Sequence, residues 1–150
     1  MVLTTPYFIP DQPLLQAMQT AVLRGVAVHL VVSEKGDQRI VSLAQASYYE
    51  ELLEAGAQVH LYRGSFLHAK HLSVDDAVAL IGTSNLDIRS FALNAEVMLM
   101  VYDRGVTARL AVEQERYFTN SRLLTLAEWR QRPLGSKVAQ NLARLLSPLL

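Results

Sequence analysis

His68 and Lys70 stand two residues apart, so in an extended segment their imidazole and ammonium point to the same side. A neutral imidazole is a nucleophile toward phosphorus, and an ammonium beside it neutralises charge that builds on a non-bridging phosphate oxygen. Asp75 follows at the end of the same predicted strand, placed to anchor a turn. Seven residues on, Gly82-Thr83-Ser84-Asn85 supplies two hydroxyls, an amide and backbone N–H groups, a donor set suited to phosphate. Asn94 and Glu96 then alternate with Leu93, Ala95 and Val97. In a strand both polar side chains share a face, where Glu96 would hold the imidazole of His68 in its productive tautomer. The expected site therefore has a His68–Glu96 hydrogen bond and an anion position where Lys70, Asn85 and the Gly82–Ser84 loop converge.

The elements that must carry these residues read as an α/β fold with a mixed, mostly parallel-centred sheet flanked by helices. Residues 2–8 form a β-rich run. Asp11 as N-cap and Pro13 in the first turn then open a helix bearing Leu14, Leu15, Met18, Ala21 and Val22, which Gly25 closes. Residues 26–32 are nearly all apolar, as in a strand covered on both faces. A second helix over 39–55 ends at Gly56, and the next strand covers 58–62. Two such units in series call for parallel central strands. The rhythm then changes to strand, turn, strand: 67–74, a turn at Asp75-Asp76, 77–81, a polar loop, and a long strand over 92–102. Helices over 106–118 and 126–130 follow. The domain reading is a catalytic lobe over residues 1–132 and an amphipathic tail over 133–150.

The spacing His68-x-Lys70, four residues, Asp75, six residues, Gly82-Thr83-Ser84-Asn85 resembles the signature of the phospholipase D superfamily at every signature position. That resemblance implies a phosphodiesterase lobe in which His68 is nucleophile or general acid. Lys70 and Asn85 would bind the phosphate, Asp75 would be mainly structural, the downstream Glu96 would orient His68, and Thr83 would occupy a small-hydroxyl position. The strings TTPYFIPDQPLL, YYEELLEAGAQVHLY and GTSNLDIRSFALNAEV, with RPL and SPLL near the end, are similar to the C-terminal half of bacterial cardiolipin synthases. The resemblance implies a phosphatidylglycerol substrate, a phosphohistidine intermediate, no metal or other cofactor, and the bacterial inner membrane as location. Such enzymes carry two copies of the motif, whereas this chain carries one. The implied partner is thus an N-terminal half or a second copy, and Met1, which leads directly into a strand, reads as a cut in a longer protein.

Plainer readings of the same residues explain less. An incidental histidine in a half-buried strand leaves six further positions in register unexplained. His29 and His60 lie within apolar strands and read as structural, and His71 alternates away from His68. The four histidines show no HxxxH spacing and there is no cysteine, which counts against zinc. Ser84 lies in GTSNL rather than in a GxSxG elbow, and no glycine-rich phosphate loop follows the first strand.

With 14 basic and 14 acidic residues the chain has no net charge, so any anion site is local and nucleic acid is disfavoured as a partner. No apolar run reaches membrane-spanning length. In the tail, Leu134, Val138, Leu142, Leu145 and Leu149 form a stripe opposite Lys137, Gln140, Asn141 and Arg144. Docking of that stripe on the domain's own core and on a bilayer surface are both open. Three functional readings follow: a phosphatidyl transferase completed by a second motif, a homodimeric phosphodiesterase or nuclease, and a non-catalytic partner lobe.

Overall fold

The computed structural model describes residues 1–150. Its centre is a parallel trio, β1 (Val2–Thr4), β3 (His29–Ser33) and β4 (Gln58–Tyr62), joined by helical crossovers. The first crossover is α1 (Gln12–Leu23), preceded by the short β2 (Phe8–Ile9); the second is α2 (Arg39–Ser47) with α3 (Tyr49–Ala55). Antiparallel strands extend the sheet on both sides: β5 (His71–Val74), β6 (Val78–Gly82) and β8 (Met98–Val101) on one, β9 (Ser121–Leu124) on the other. The seven-stranded order is β8-β6-β5-β1-β3-β4-β9, and β7 (Leu86–Asp87) pairs with β2 in a separate parallel ribbon. The expected mixed sheet with a parallel centre is what forms.

Period-two alternation divides the two faces. Leu3, Leu30, Val32, Val59 and Leu61 join Leu15, Met18, Ala44, Tyr48 and Leu52 of α1–α3 in one continuous core. The opposite face carries His29, His60 and Tyr62, covered by α5 (Arg104–Thr119) through Phe118 and Tyr117. His29 Nδ1 and His60 Nε2 lie 3.1 Å apart, and Gln114 Nε2 lies 3.3 Å from His71 Nδ1. All three histidines are structural, as their positions in the strands suggest.

Local hydrogen bonding explains where elements stop. After α1, the Gly25 and Val26 N–H groups return to Val22 and Ala21, with Gly25 at φ +86°, so the chain completes a helix cap before β3 begins at His29. The helix expected over 39–55 is two helices. Ser47 Oγ donates to the Ala44 carbonyl at 2.5 Å, and the Gln45 side chain accepts from Phe8 N and donates to Tyr49 Oη, so the axis bends at Tyr48. The strand expected over 67–74 starts only at His71. Its partner β1 ends at Thr4, ahead of Pro6, which has no N–H to offer a ladder. Of the strand expected over 92–102 only β8 forms: Ala92 ends α4 (Ile88–Ala92), residues 93–97 are turn and loop, and α4 is capped by Asp87, whose carboxylate accepts from Ser90 N at 2.7 Å. Beyond α5, β9 and α6 (Leu126–Arg130), the tail forms α7 (Leu134–Leu145) and a closing 3-10 turn (Ser147–Leu149) that pack on α2 and α4.

Burial lowers the pKa of His60 and of His71 to about 4, and Glu113 pulls His71 partly back up. Because the folded values lie below the unfolded value of about 6.5, the unfolded chain binds more protons between those limits, so stability is lost as pH falls from 6.5 toward 4. His71 is the more enclosed, and the depression corresponds to about 3 kcal/mol at most, with a smaller, solvent-screened share from His60. The urea midpoint should drop across this window, and His71→Gln should flatten the profile. An unchanged profile in that variant would place the pH sensitivity elsewhere.

Candidate active site

His68 and Lys70 lie on the extended lead into β5 rather than within it. Gly82 N still donates to the Lys70 carbonyl at 3.2 Å, which fixes this lead against the end of β6. The His68 ring is exposed and packs beside Phe66, 5.8 Å between centroids, and Phe66 in turn approaches Tyr7 at 6.2 Å. Tyr7 Oη donates to the Asp37 carboxylate at 2.9 Å.

Lys70 is half-buried and its Nζ donates to the His68 carbonyl at 3.1 Å. Burial pushes its ammonium below the usual range, opposed by the carboxylates of Glu96 and Asp87. Those two acids come from the loop before β8 and from the start of α4, so a cation and two anions meet in front of the sheet edge.

Glu96 is the most tightly held polar group of the site. Its carboxylate accepts from Thr83 Oγ1 at 2.5 Å, Ser90 Oγ at 3.3 Å and Asn94 Nδ2 at 3.4 Å, and these donors with Lys70 keep it below the usual carboxylate range. Thr83 Oγ1 also accepts from Val97 N at 3.0 Å. The expected hydrogen bond between His68 and Glu96 does not form; the carboxylate is engaged by hydroxyl and amide donors instead. Thr83, expected to face phosphate, spends its hydroxyl on positioning Glu96.

Asn85 is fixed through its backbone N–H, which donates to Ser90 Oγ at 3.2 Å, while its Oδ1 is buried without a hydrogen-bond partner. It lines a cleft of about 240 Å³ with Tyr7, Asp87, Arg89, Asn94 and Leu150. Neither Lys70 nor Gly82, Thr83 or Ser84 lines this cleft; the loop meets Lys70 through the Gly82 N–H on the Lys70 carbonyl. Gly82 is required there, because a Cβ would collide with the Val97 carbonyl and come within 2.9 Å of Met98 Cα. Asp75 is not part of this group: it occupies the β5–β6 turn at φ +49°, at the opposite end of β5 from His68. No three His, Asp or Glu side chains gather closely enough to hold a metal ion.

Two residues of the site were missed by sequence reasoning. Asp87 and Ser90 are both buried, and together they tie α4 to Asn85 and Glu96. Their signal was present in the spacing of Asp87-x-x-Ser90, an N-cap pair, in a stretch read only as a polar loop.

Residues 1–120 match the family described as "Cardiolipin synthase, PLD-like domain". The chain is 42% identical over all of its 150 residues to "Cardiolipin synthase A" of Serratia proteamaculans (strain 568), of which it spans 31% of the length. Among solved structures it superimposes on phosphatidylserine synthase of Haemophilus influenzae Rd KW20 with TM-score 0.80 and 21% identity, covering 99% of this chain and 41% of that one. Nuc, a phospholipase D family member from Salmonella typhimurium, gives TM-score 0.70 and 18% identity over 82% of this chain and 80% of that one. At those identities the two structures speak to the fold alone.

Proposed function

The chain belongs to the cardiolipin synthase, PLD-like domain family, and from that premise we propose that it is one catalytic lobe of a phosphatidyl transferase acting on phosphatidylglycerol. The observation that carries the reading is Lys70, in the field of the Glu96 and Asp87 carboxylates, beside an exposed, uncommitted His68. One motif imidazole attacks phosphorus to give a phosphohistidine as the glycerol oxygen leaves with a proton from the other. The hydroxyl of a second phosphatidylglycerol then gives up its proton to that second imidazole, attacks phosphorus and frees the histidine. The products are cardiolipin and glycerol. Lys70 and Asn85 hold the non-bridging oxygens, where preorganised donors act most strongly on developing charge.

Glu96 lacks a bond to His68, and its carboxylate lies at the front of the site, so we assign it to orient the imidazole of the opposing motif. Asp75 keeps a structural role in its turn. The partner lobe is an N-terminal half carrying a first motif. A lobe of this shape makes up 80% of Nuc but 41% of the phosphatidylserine synthase, which suits both one-lobe and longer chains. No helix is long and apolar enough to cross a membrane.

The direct test supplies the chain and its complementary half with phosphatidylglycerol and follows cardiolipin and free glycerol by mass spectrometry. Equal formation of both products is expected. Release of phosphatidic acid without cardiolipin would make the protein a hydrolase and displace the transferase reading.

A further inference from the structure

The tail helix is docked by its polar side. Arg144 donates to Glu51 at 3.1 Å and lies over the Tyr48 ring at 4.2 Å; Gln140 and Ala143 are buried; Ser147 accepts from Tyr48 Oη at 3.0 Å. Gln140 also accepts from Arg132, which reaches Glu50 at 2.7 Å, while Arg130 pairs with Glu54 at 2.6 Å. The apolar stripe consequently faces out. Leu134, Val138, Leu142, Leu145 and Leu149 are 79%, 57%, 59%, 75% and 74% exposed. With about 3.6 residues per turn, the four stripe residues within α7 fall inside an arc of about 80°. An amphipathic helix in water normally presents the reverse arrangement.

We propose that this stripe is the surface on which the lobe lies against an anionic phospholipid bilayer, α7 resting in the plane of the interface. This deepens the reading of a lipid substrate and rests on it for the bilayer's chemistry. Three observations select lipid. First, the stripe is purely aliphatic, without the aromatic anchors that mark protein interfaces. Second, residues 129–150 contain Arg130, Arg132, Lys137 and Arg144 but no acidic residue, although the whole chain is neutral. The three arginines pair with α3 glutamates and Lys137 bears on Glu50, so the tail brings no acidic side chain of its own to repel anionic headgroups. Third, the stripe runs into the site: the 3-10 turn packs on α4, and Leu150 lines the cleft with Asn85 and Arg89. A bilayer along α7 would thus bring phospholipid headgroups to the cleft.

The test compares the chain with its Leu142→Glu, Leu145→Glu double variant in sedimentation with vesicles of equal parts phosphatidylglycerol and phosphatidylcholine. Both positions are exposed, and a matching thermal midpoint confirms the fold. The parent should partition onto these vesicles more strongly than onto pure phosphatidylcholine, and the variant should bind at least ~10-fold less. His68→Ala should bind as the parent does, which separates docking from catalysis: a failed transferase assay would leave this result standing. Undiminished vesicle binding by the double variant overturns the proposal. So does a variant that loses only self-association in light scattering, since the stripe would then be a contact between copies.

Discussion

His68→Ala is expected to lower phosphatidyl transfer by about 10³-fold or more while moving the thermal midpoint by only about a degree. The two halves of that expectation have separate physical origins. In the proposed reaction the imidazole either bonds to phosphorus or protonates the leaving oxygen, and nothing in the neighbourhood replaces it. Lys70 cannot serve, because its ammonium is committed to the His68 carbonyl and to the field of Glu96 and Asp87. In stability the ring contributes little, being exposed, without a side-chain hydrogen bond, and in contact with Phe66, itself 41% exposed. Exposed substitutions of this kind usually stay within about 0.5 kcal/mol. Lys70→Ala should differ in the second half, because it removes the cation whose field acts on the Glu96 and Asp87 carboxylates. Turnover close to that of the parent in His68→Ala would remove this residue from the mechanism, and a midpoint lowered by many degrees would make it a fold-holding residue.

The contrast between His68 and Lys70 also shows what was legible before any coordinates. Strong periodicity carried the parallel centre. Residues 58–62 and 126–130 became β4 and α6 with the expected bounds, and Gly25 and Gly56 close helices at positive φ. What escaped were features set by one side chain acting on a distant backbone. Ser47 interrupting the long helix, Pro6 shortening the partner of β5, and Asp87 nucleating α4 in a stretch read as polar loop all override a local pattern. β9 escaped for another reason, since Ser121 and Arg122 give it no apolar alternation and its pairing with β4 decides its conformation. The site shows the same division. The residue types at 68, 70, 83, 85 and 96 were readable, but the hydrogen bonds were not, and Thr83 and Ser90 take the Glu96 carboxylate that sequence reasoning gave to His68. The tail stripe was visible as a pattern, yet only the Arg132, Gln140 and Arg144 contacts reveal that it points outward.

The second large effect concerns completeness. The isolated chain should synthesise at least about 100-fold less cardiolipin than the same chain mixed with a separately expressed half carrying the other motif. One imidazole cannot attack phosphorus from one side and protonate the leaving oxygen on the other in a single step, so an in-line displacement needs two. The site of the lobe is open to solvent. His68 is exposed, the Glu96 carboxylate accepts only from hydroxyl and amide donors of its own chain, and Lys70 is only half-buried, which weakens every charge interaction a closed cleft would strengthen. Beside the site, β8 ends the sheet as an unpaired edge, with Val97, Leu99 and Tyr102 exposed at 74%, 63% and 69%. An apolar edge strand with free N–H and C=O groups seeks a partner, so the isolated chain should self-associate, and adding the complementary half should convert that population to a defined heterodimer. Analytical ultracentrifugation with a parallel phosphatidylglycerol assay reads both quantities from one sample. Activity that rises with the heterodimer fraction supports two-motif catalysis. Full activity in a strictly monomeric sample would show that a single imidazole suffices, and the assignment of Glu96 to an opposing motif would fall with it.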